Sequence, residues 1–291
     1  MYHLVYAVIY VFSLLPLRVL YIFSDLIYVL VYRFLKYRKD IVRNNLKIAF
    51  PHKSESEIER IEKQFYRNLM DTMIETIKLF SAGERFLNKR VKADMSFFDR
   101  FYFEKQKIQV HLGHNFNWEI FNLYGGIHAK QKLIGVYMPL KSSLADRLFL
   151  KMRSKFGTVL VPATKMRAGL LPHRNNAYIL GLIADQTPAH PDNAYWVNFF
   201  GRPTAFLRGP EKGARAANLP VVFCHSTSSK RGYYQLHFQM LAERPAELKE
   251  GELTTRYAAM LEQTISHHPE MWLWSHRRWK HEWKPDYKIY A

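Results

Sequence analysis

Ile108–Gly126, IQVHLGHNFNWEIFNLYGG, is the stretch whose reading decides the fold. Ile108, Val110 and Leu112 alternate as in a short buried strand, which Gly113 ends. His114, Asn115 and Phe116 turn the chain, and Asn117 is suited to cap a helix predicted from Trp118 to about Tyr124, with Gly125-Gly126 as its stop. His114 then stands at the carboxyl end of a strand and Glu119 in the first turn of the following helix. Ligands of open α/β sheets bind at such carboxyl ends.

The spacing of His114 and Glu119 has a geometric consequence. Inside one continuous helix, residues five apart point roughly 140° away from each other. A cooperating pair therefore needs the bend between strand and helix. In that bend Glu119 is expected to accept a hydrogen bond from one imidazole nitrogen and fix the tautomer. The other nitrogen is then free to take a proton from a substrate hydroxyl. The bare pattern carries little information. With 13 histidines and 25 acidic residues in 291, about one such pair arises by chance. The pairs His52/Glu57 and His281/Asp286 lie in polar surroundings and serve as controls. Only the strand–glycine–turn context distinguishes His114.

Composition narrows the function classes. The 291 residues, 48% of them hydrophobic, suffice for a sizeable core. The single cysteine, Cys224, rules out an internal disulfide framework and a multi-cysteine zinc site. Its setting, LPVVFCHS, reads as a strand carrying a buried thiol rather than a nucleophile. A net charge of +18 points to an anionic partner: nucleic acid, an anionic membrane surface or an acidic carrier protein. Leu4–Leu17 and Val19–Tyr32 are apolar runs separated by Arg18, and a basic cluster follows at Arg33, Lys36, Arg38, Lys39 and Arg43. Together the runs are long enough for a tilted span or an interfacial helix, so residues 1–35 are expected to form a membrane anchor and residues 36–291 one α/β domain.

Along the rest of the chain, Tyr32–Phe50 has a helical pattern up to Pro51, and Ser54–Glu57 resembles a capping box. A long helix follows, with Ile61, Phe65, Leu69, Met73 and Ile77 as its packing stripe. Strands are expected at Leu133–Met138, Thr158–Val161, Ala177–Ile183, Pro220–His225 and Tyr234–Met240. Helices are expected at Ser142–Lys155, Gly209–Asn218 and Thr254–His267, and Val197–Pro203 as a tight turn. The alternation predicts a central mixed sheet flanked by helices. Asp185 ends an apolar strand and is either a group at the sheet's mouth or a turn cap. Arg153, on a basic helix, reads first as a solvated charge. The chain has no Gly-x-Ser-x-Gly elbow, Walker loop, dinucleotide fingerprint or His-Glu-x-x-His motif. Histidines 267, 268, 276 and 281 lack the carboxylate cluster that would complete a metal site.

Five ordered blocks carry a family resemblance. GHNFNWE at 113–119 resembles the Gly-His-x-x-x-x-Glu block of the bacterial lipid A biosynthesis acyltransferases, of the late lauroyl/myristoyl type. These belong to the lysophospholipid acyltransferase superfamily. YRKDIVRNNLKIAFP at 37–51 is similar to the helix after the anchor, and MRSKFGTVLVP at 152–162 to the arginine segment. Residues 183–223 resemble the central block, and PEMWLWSHRRWKHEW at 269–283 the C-terminal signature. DQTPAHPDNAYW, following the strand end at Asp185, departs from the proteobacterial pattern, in which a glycine soon follows the aspartate.

The resemblance implies transfer of an acyl chain from a thioester of acyl carrier protein, or of coenzyme A, to a hydroxyl of a membrane lipid. It implies no cofactor and no acyl-enzyme. His114 would be the general base and Glu119 its orienting acid. Arg153 would lie near substrate phosphate or the reacting carbonyl, and Asp185 at the rim. Arg277 and Arg278 would be phosphate contacts or anchors of the C-terminal segment. The acceptor would be a lipid A precursor or related glycolipid, with an aminolipid or lysophospholipid as the alternative. The expected place is the cytoplasmic face of the bacterial inner membrane. Two other classes fit the charge: a non-catalytic basic membrane-binding protein, which leaves His114 and Glu119 without a purpose, and a nucleic-acid binder using HRRWKHEWK, against which the apolar amino terminus argues.

Overall fold

The computed structural model describes residues 1–291. The strands are β1 (Val91–Lys92), β2 (Ile108–Leu112), β3 (Lys132–Tyr137), β4 (Val159–Pro162), β5 (Tyr178–Ile183), β6 (Ala194–Phe199), β7 (Arg202–Leu207), β8 (Val221–Lys230), β9 (Tyr233–Ala242) and β10 (Ile289–Tyr290). The helices are α1 (Tyr2–Leu14), α2 (Leu17–Val29), α3 (Lys39–Ala49), α4 (Glu55–Leu79), α5 (Glu84–Arg90), α6 (Asp99–Phe103), α7 (Trp118–His128), α8 (Ser143–Arg153), α9 (Met166–Leu170), α10 (Arg208–Ala216) and α11 (Glu252–His267).

Seven strands form a mixed sheet in the order β1-β9-β8-β2-β5-β3-β4, in which only β8 and β9 pair antiparallel. β2 lies at its centre between β5 and β8 and is buried on both faces, which its apolar residues tolerate. Even its polar Gln109 and His111 are buried, and burial pushes His111 down to about 3, so it is neutral. The predicted mixed α/β architecture is therefore present. A second sheet, β10-β6-β7, was not foreseen. The expected turn at Val197–Pro203 is the tip of its β6–β7 hairpin.

The register of β2 against β5 pairs Leu112 with Ile183. Two residues beyond each of these stand His114 and Asp185. The Ala184 N–H donates to the Leu112 carbonyl at 2.9 Å, carrying the pairing past the strand ends. Parallel neighbours thus deliver both residues to one edge of the sheet.

Several boundaries differ from the sequence reading. α7 continues through Gly125 and Gly126 to His128. A Cβ on Gly126 would lie 2.9 Å from Thr158 Oγ1 and 3.0 Å from the Phe156 carbonyl, so this glycine permits close packing rather than ending the helix. Met73 is exposed although Ile61, Phe65 and Leu69 are buried. Each step of four residues rotates about 40° beyond a full turn, and three such steps carry position 73 off the packed face. Tyr32–Phe50 is not one helix: Lys36 and Arg38 adopt positive φ, and α3 starts at Lys39. The capping box at Ser54–Glu57 forms with both reciprocal hydrogen bonds.

The expected anchoring helix is two helices. α1 and the segment Leu17–Phe34 are bent by 110°, and no single helix is long and apolar enough to cross a membrane. The break falls at Leu15-Pro16 rather than at Arg18. Proline drives its predecessor into extended backbone, and Leu15 has ψ 145°. Lys78 and Ser81 both donate to the carbonyl of buried Ser13 beside the break, each at 2.7 Å.

Candidate active site

The turn after β2 is held from three sides. The Asn117 side chain accepts from the N–H groups of Glu119 and Ile120 at 3.2 and 3.4 Å, capping α7 as its residue type predicts. Its Nδ2 donates to Glu75 at 3.0 Å. Glu75, buried near the carboxyl end of α4, also accepts from the hydroxyls of Tyr21 and Tyr234, each at 2.6 Å. Burial raises the Glu75 carboxyl against the pull of those three donors. Finally, the Phe116 N–H donates to the Met271 carbonyl at 2.9 Å, and its own carbonyl accepts from Ser226 at 2.8 Å.

On this frame His114 meets Asp185. Nδ1 of the ring lies 2.6 Å from Asp185 Oδ1, and the His114 backbone N–H donates to Oδ2 at 2.7 Å. Trp272 Nε1 donates to the same Oδ2 at 2.7 Å. An ionised carboxylate only accepts, so Nδ1 carries a proton, and in the neutral ring Nε2 keeps its lone pair. The His114 side chain is 15% exposed and that of Asp185 only 1%, so solvent reaches the imidazole but not the carboxylate. Burial alone would raise the Asp185 carboxyl. The His114 charge, the two hydrogen bonds from His114 and the Trp272 donor outweigh burial and hold it well below the usual carboxylate range. In His114, burial pulls downward, but the Asp185 charge and hydrogen bond win, and its pKa lies above the ordinary value.

Gly113 makes this approach possible. A Cβ there would lie 2.6 Å from Leu261 Cδ1 and 3.2 Å from Asp185 Oδ2.

This geometry corrects the expected pairing of Glu119 with His114. Glu119 turns instead to Arg153, whose Nε donates to its two oxygens at 3.1 and 2.9 Å, with Nη2 closing the fork. The physical reason lies in the topology. A position in the first turn of α7 faces α8, whereas the adjacent parallel strand supplies a carboxylate in register with His114. Arg153 ends α8, and its carbonyl accepts from Asn122 of α7 at 2.8 Å. Burial lowers its pKa, but the bonds to Glu119 reverse that and raise it. Arg153 is thus a fixed cation, not the solvated one its helix pattern allows.

The C-terminal signature packs across the loop after Asp185. Thr187 Oγ1 donates to the carbonyls of Arg277 and Arg278, each at 3.2 Å, and the His281 ring lies 2.8 Å from the Pro188 carbonyl. The two arginines separate. Arg277 is exposed, whereas Arg278 is buried, donates to the Ala205 carbonyl at 2.7 Å and lies 4.0 Å over the Phe206 ring. Burial pushes Arg278 down to about 10. Its contacts are those of an anchor tying the C-terminal segment to β7. Sequence reading missed Glu75 and Trp272. Glu75 carried a signal, as a carboxylate between Ile74 and buried positions of α4. Trp272 carried none beyond its place in the signature. The His276 ring centroid lies 6.3 Å from that of His114. Cys224 is buried, and burial pushes its thiol up to about 12, as suits a structural residue.

The arrangement can remove a proton from a hydroxyl presented to His114 Nε2 and return it to a leaving group. No curated protein matches the chain. A family model described as bacterial lipid A biosynthesis acyltransferase matches residues 1–281.

Proposed function

The chain belongs to the bacterial lipid A biosynthesis acyltransferase family and is an acyltransferase; from that premise we propose that it moves a fatty acyl chain from a thioester of acyl carrier protein, or of coenzyme A, to a hydroxyl of a lipid A precursor or related membrane glycolipid. The observation that carries this reading is the His114–Asp185 pair at the mouth of the sheet, with Nε2 free. His114 takes the hydroxyl proton as the oxygen attacks the thioester carbon, and gives it to the departing sulfur. Asp185 holds the tautomer and stabilises the imidazolium between those events, as the acid of a triad does. Here the substrate oxygen is the nucleophile, so no acyl-enzyme forms. Glu119 keeps Arg153 extended and oriented toward the negative charge of the thioester oxyanion or a substrate phosphate. Exposed Arg277 is the more accessible phosphate contact of the C-terminal pair.

The charge of +18 supports an acidic carrier protein as donor and an anionic bilayer as the working surface. Leu4, Val8, Val11 and Leu14 of α1 and Ile22 and Leu26 of α2 are exposed apolar residues. We place them against the cytoplasmic leaflet of the bacterial inner membrane, with residues 1–35 as the membrane element and the remainder as the catalytic domain. The experiment is acyl transfer from a labelled acyl carrier protein thioester to a total bacterial lipid extract, with coenzyme A donors in parallel. Wild type is expected to form a new acylated lipid, which mass spectrometry identifies, and His114→Ala to lose at least about a hundredfold in rate. No transfer by wild type from either donor, or an unimpaired His114→Ala, would overturn the reading.

A further inference from the structure

His276 lies beside His114, yet the transfer step above does not use it. Its main chain is fixed: the carbonyl accepts from Asn45 Nδ2 at 2.8 Å and the N–H donates to the Leu273 carbonyl at 3.1 Å. Its neighbours are fixed too, Trp272 on Asp185 and Trp274 on the Pro269 carbonyl. The half-buried ring makes no hydrogen bond to the protein, and it stands 6.3 Å from the His114 ring with 39° between the planes. An oxygen about 2.8 Å from an imidazole nitrogen lies about 4 Å from that ring's centroid, so two rings sharing one roughly tetrahedral oxygen have centroids about 6 Å apart. The spacing of the two rings matches an oxygen held between them.

We propose that His276 is a catalytic residue that donates its N–H to the acceptor hydroxyl, so that two imidazoles grip the same oxygen. This rests on the transfer reaction proposed above. The O–H bond breaks as His114 Nε2 gains the proton. The oxygen–carbon bond then forms, the carbon–sulfur bond breaks, and the proton passes to sulfur. His276 keeps its own proton throughout and fixes the direction in which the oxygen lone pair points. The role requires a neutral ring, because a second cation would oppose the imidazolium that His114 becomes. Burial first, then the charges of Arg278, His114 and Arg38 acting against that of Asp185, push His276 down to about 4.

The test uses the full-length protein with an acyl carrier protein thioester as donor and a total bacterial lipid extract as acceptor, varying each in turn. His276→Ala is expected to lose tenfold or more in kcat/KM for the acceptor at an unchanged donor KM. His276→Gln, which keeps an N–H donor, is expected to recover much of that loss. Full activity of His276→Ala overturns the proposal, as does a loss shared equally by donor and acceptor. A melting temperature lowered alike in both variants, with activity lost in parallel, also overturns it, because the ring would then be structural. Failure of the wild-type enzyme to transfer at all would instead sink the reaction itself.

Discussion

Asp185 holds His114 by both its ring and its backbone, at 2.6 and 2.7 Å, so one carboxylate sets where the imidazole sits and which nitrogen carries the proton. Trp272 completes the pair, its indole donating to Oδ2 beside the His114 backbone N–H.

Asp185→Asn tests that relationship through pH. With Asp185 ionised, His114 is held above its ordinary value of about 6.5. The base is active only when neutral, so the wild-type rate is expected to fall on acidification through that raised value. In the asparagine variant burial acts unopposed, and the acid limb is expected to move to lower pH. The plateau rate should drop by about a hundredfold or more as orientation is lost. A pH profile of kcat/KM for both proteins checks this, and an unmoved acid limb would contradict it.

Glu119 and Arg153 are expected to behave as a unit. Glu119→Ala leaves a mostly buried guanidinium without its partner, for which about 3 kcal/mol of stability is expected to be lost. The double variant Glu119→Ala/Arg153→Ala should be more stable than the sum of the single losses implies. Urea unfolding of the four proteins gives the coupling, and simple additivity would show that the pair is not an energetic unit.

Gly126→Ala sets two effects against each other. Alanine gains up to about 1 kcal/mol in helix propensity, but its Cβ would sit 3.0 Å from the backbone carbonyl of Phe156, which cannot swing away. Overpacking of this kind costs about 1–3 kcal/mol. A lowered melting temperature is therefore expected, and a raised one would mean that α7 and the Phe156 turn separate easily.

For the proposed membrane face, Val11→Asp/Leu26→Asp is expected to abolish co-sedimentation with vesicles containing anionic lipid. Wild-type binding should weaken with added salt, as the basic cluster from Arg33 to Arg43 that follows α2 requires. Equal sedimentation of variant and wild type would remove α1 and α2 from the contact.

Much of this was legible in the sequence because the signals are local. The strand–glycine–histidine turn, the Asn117 cap and the Ser54–Glu57 capping box depend on residues a few positions apart, and each forms. The sheet class followed from alternation of strands and helices. The partner of His114 was not legible, since Asp185 is 71 residues away and only the β2–β5 register brings it in. Glu119 stood closer in sequence and was paired with His114 for that reason, although α7 turns it toward Arg153. The bend at Pro16 was masked by the nearby charge of Arg18, a weaker interruption than a proline.

That same separation bears on the order of folding. Closing a loop of this length and pairing parallel strands across it is slow compared with forming the helices on either side. A refolding chain is therefore expected to regain its helical circular dichroism before its acyltransferase activity. The His114–Asp185 pair exists in no intermediate that lacks the central strand pairing, so recovered activity is expected to time the closure of the sheet.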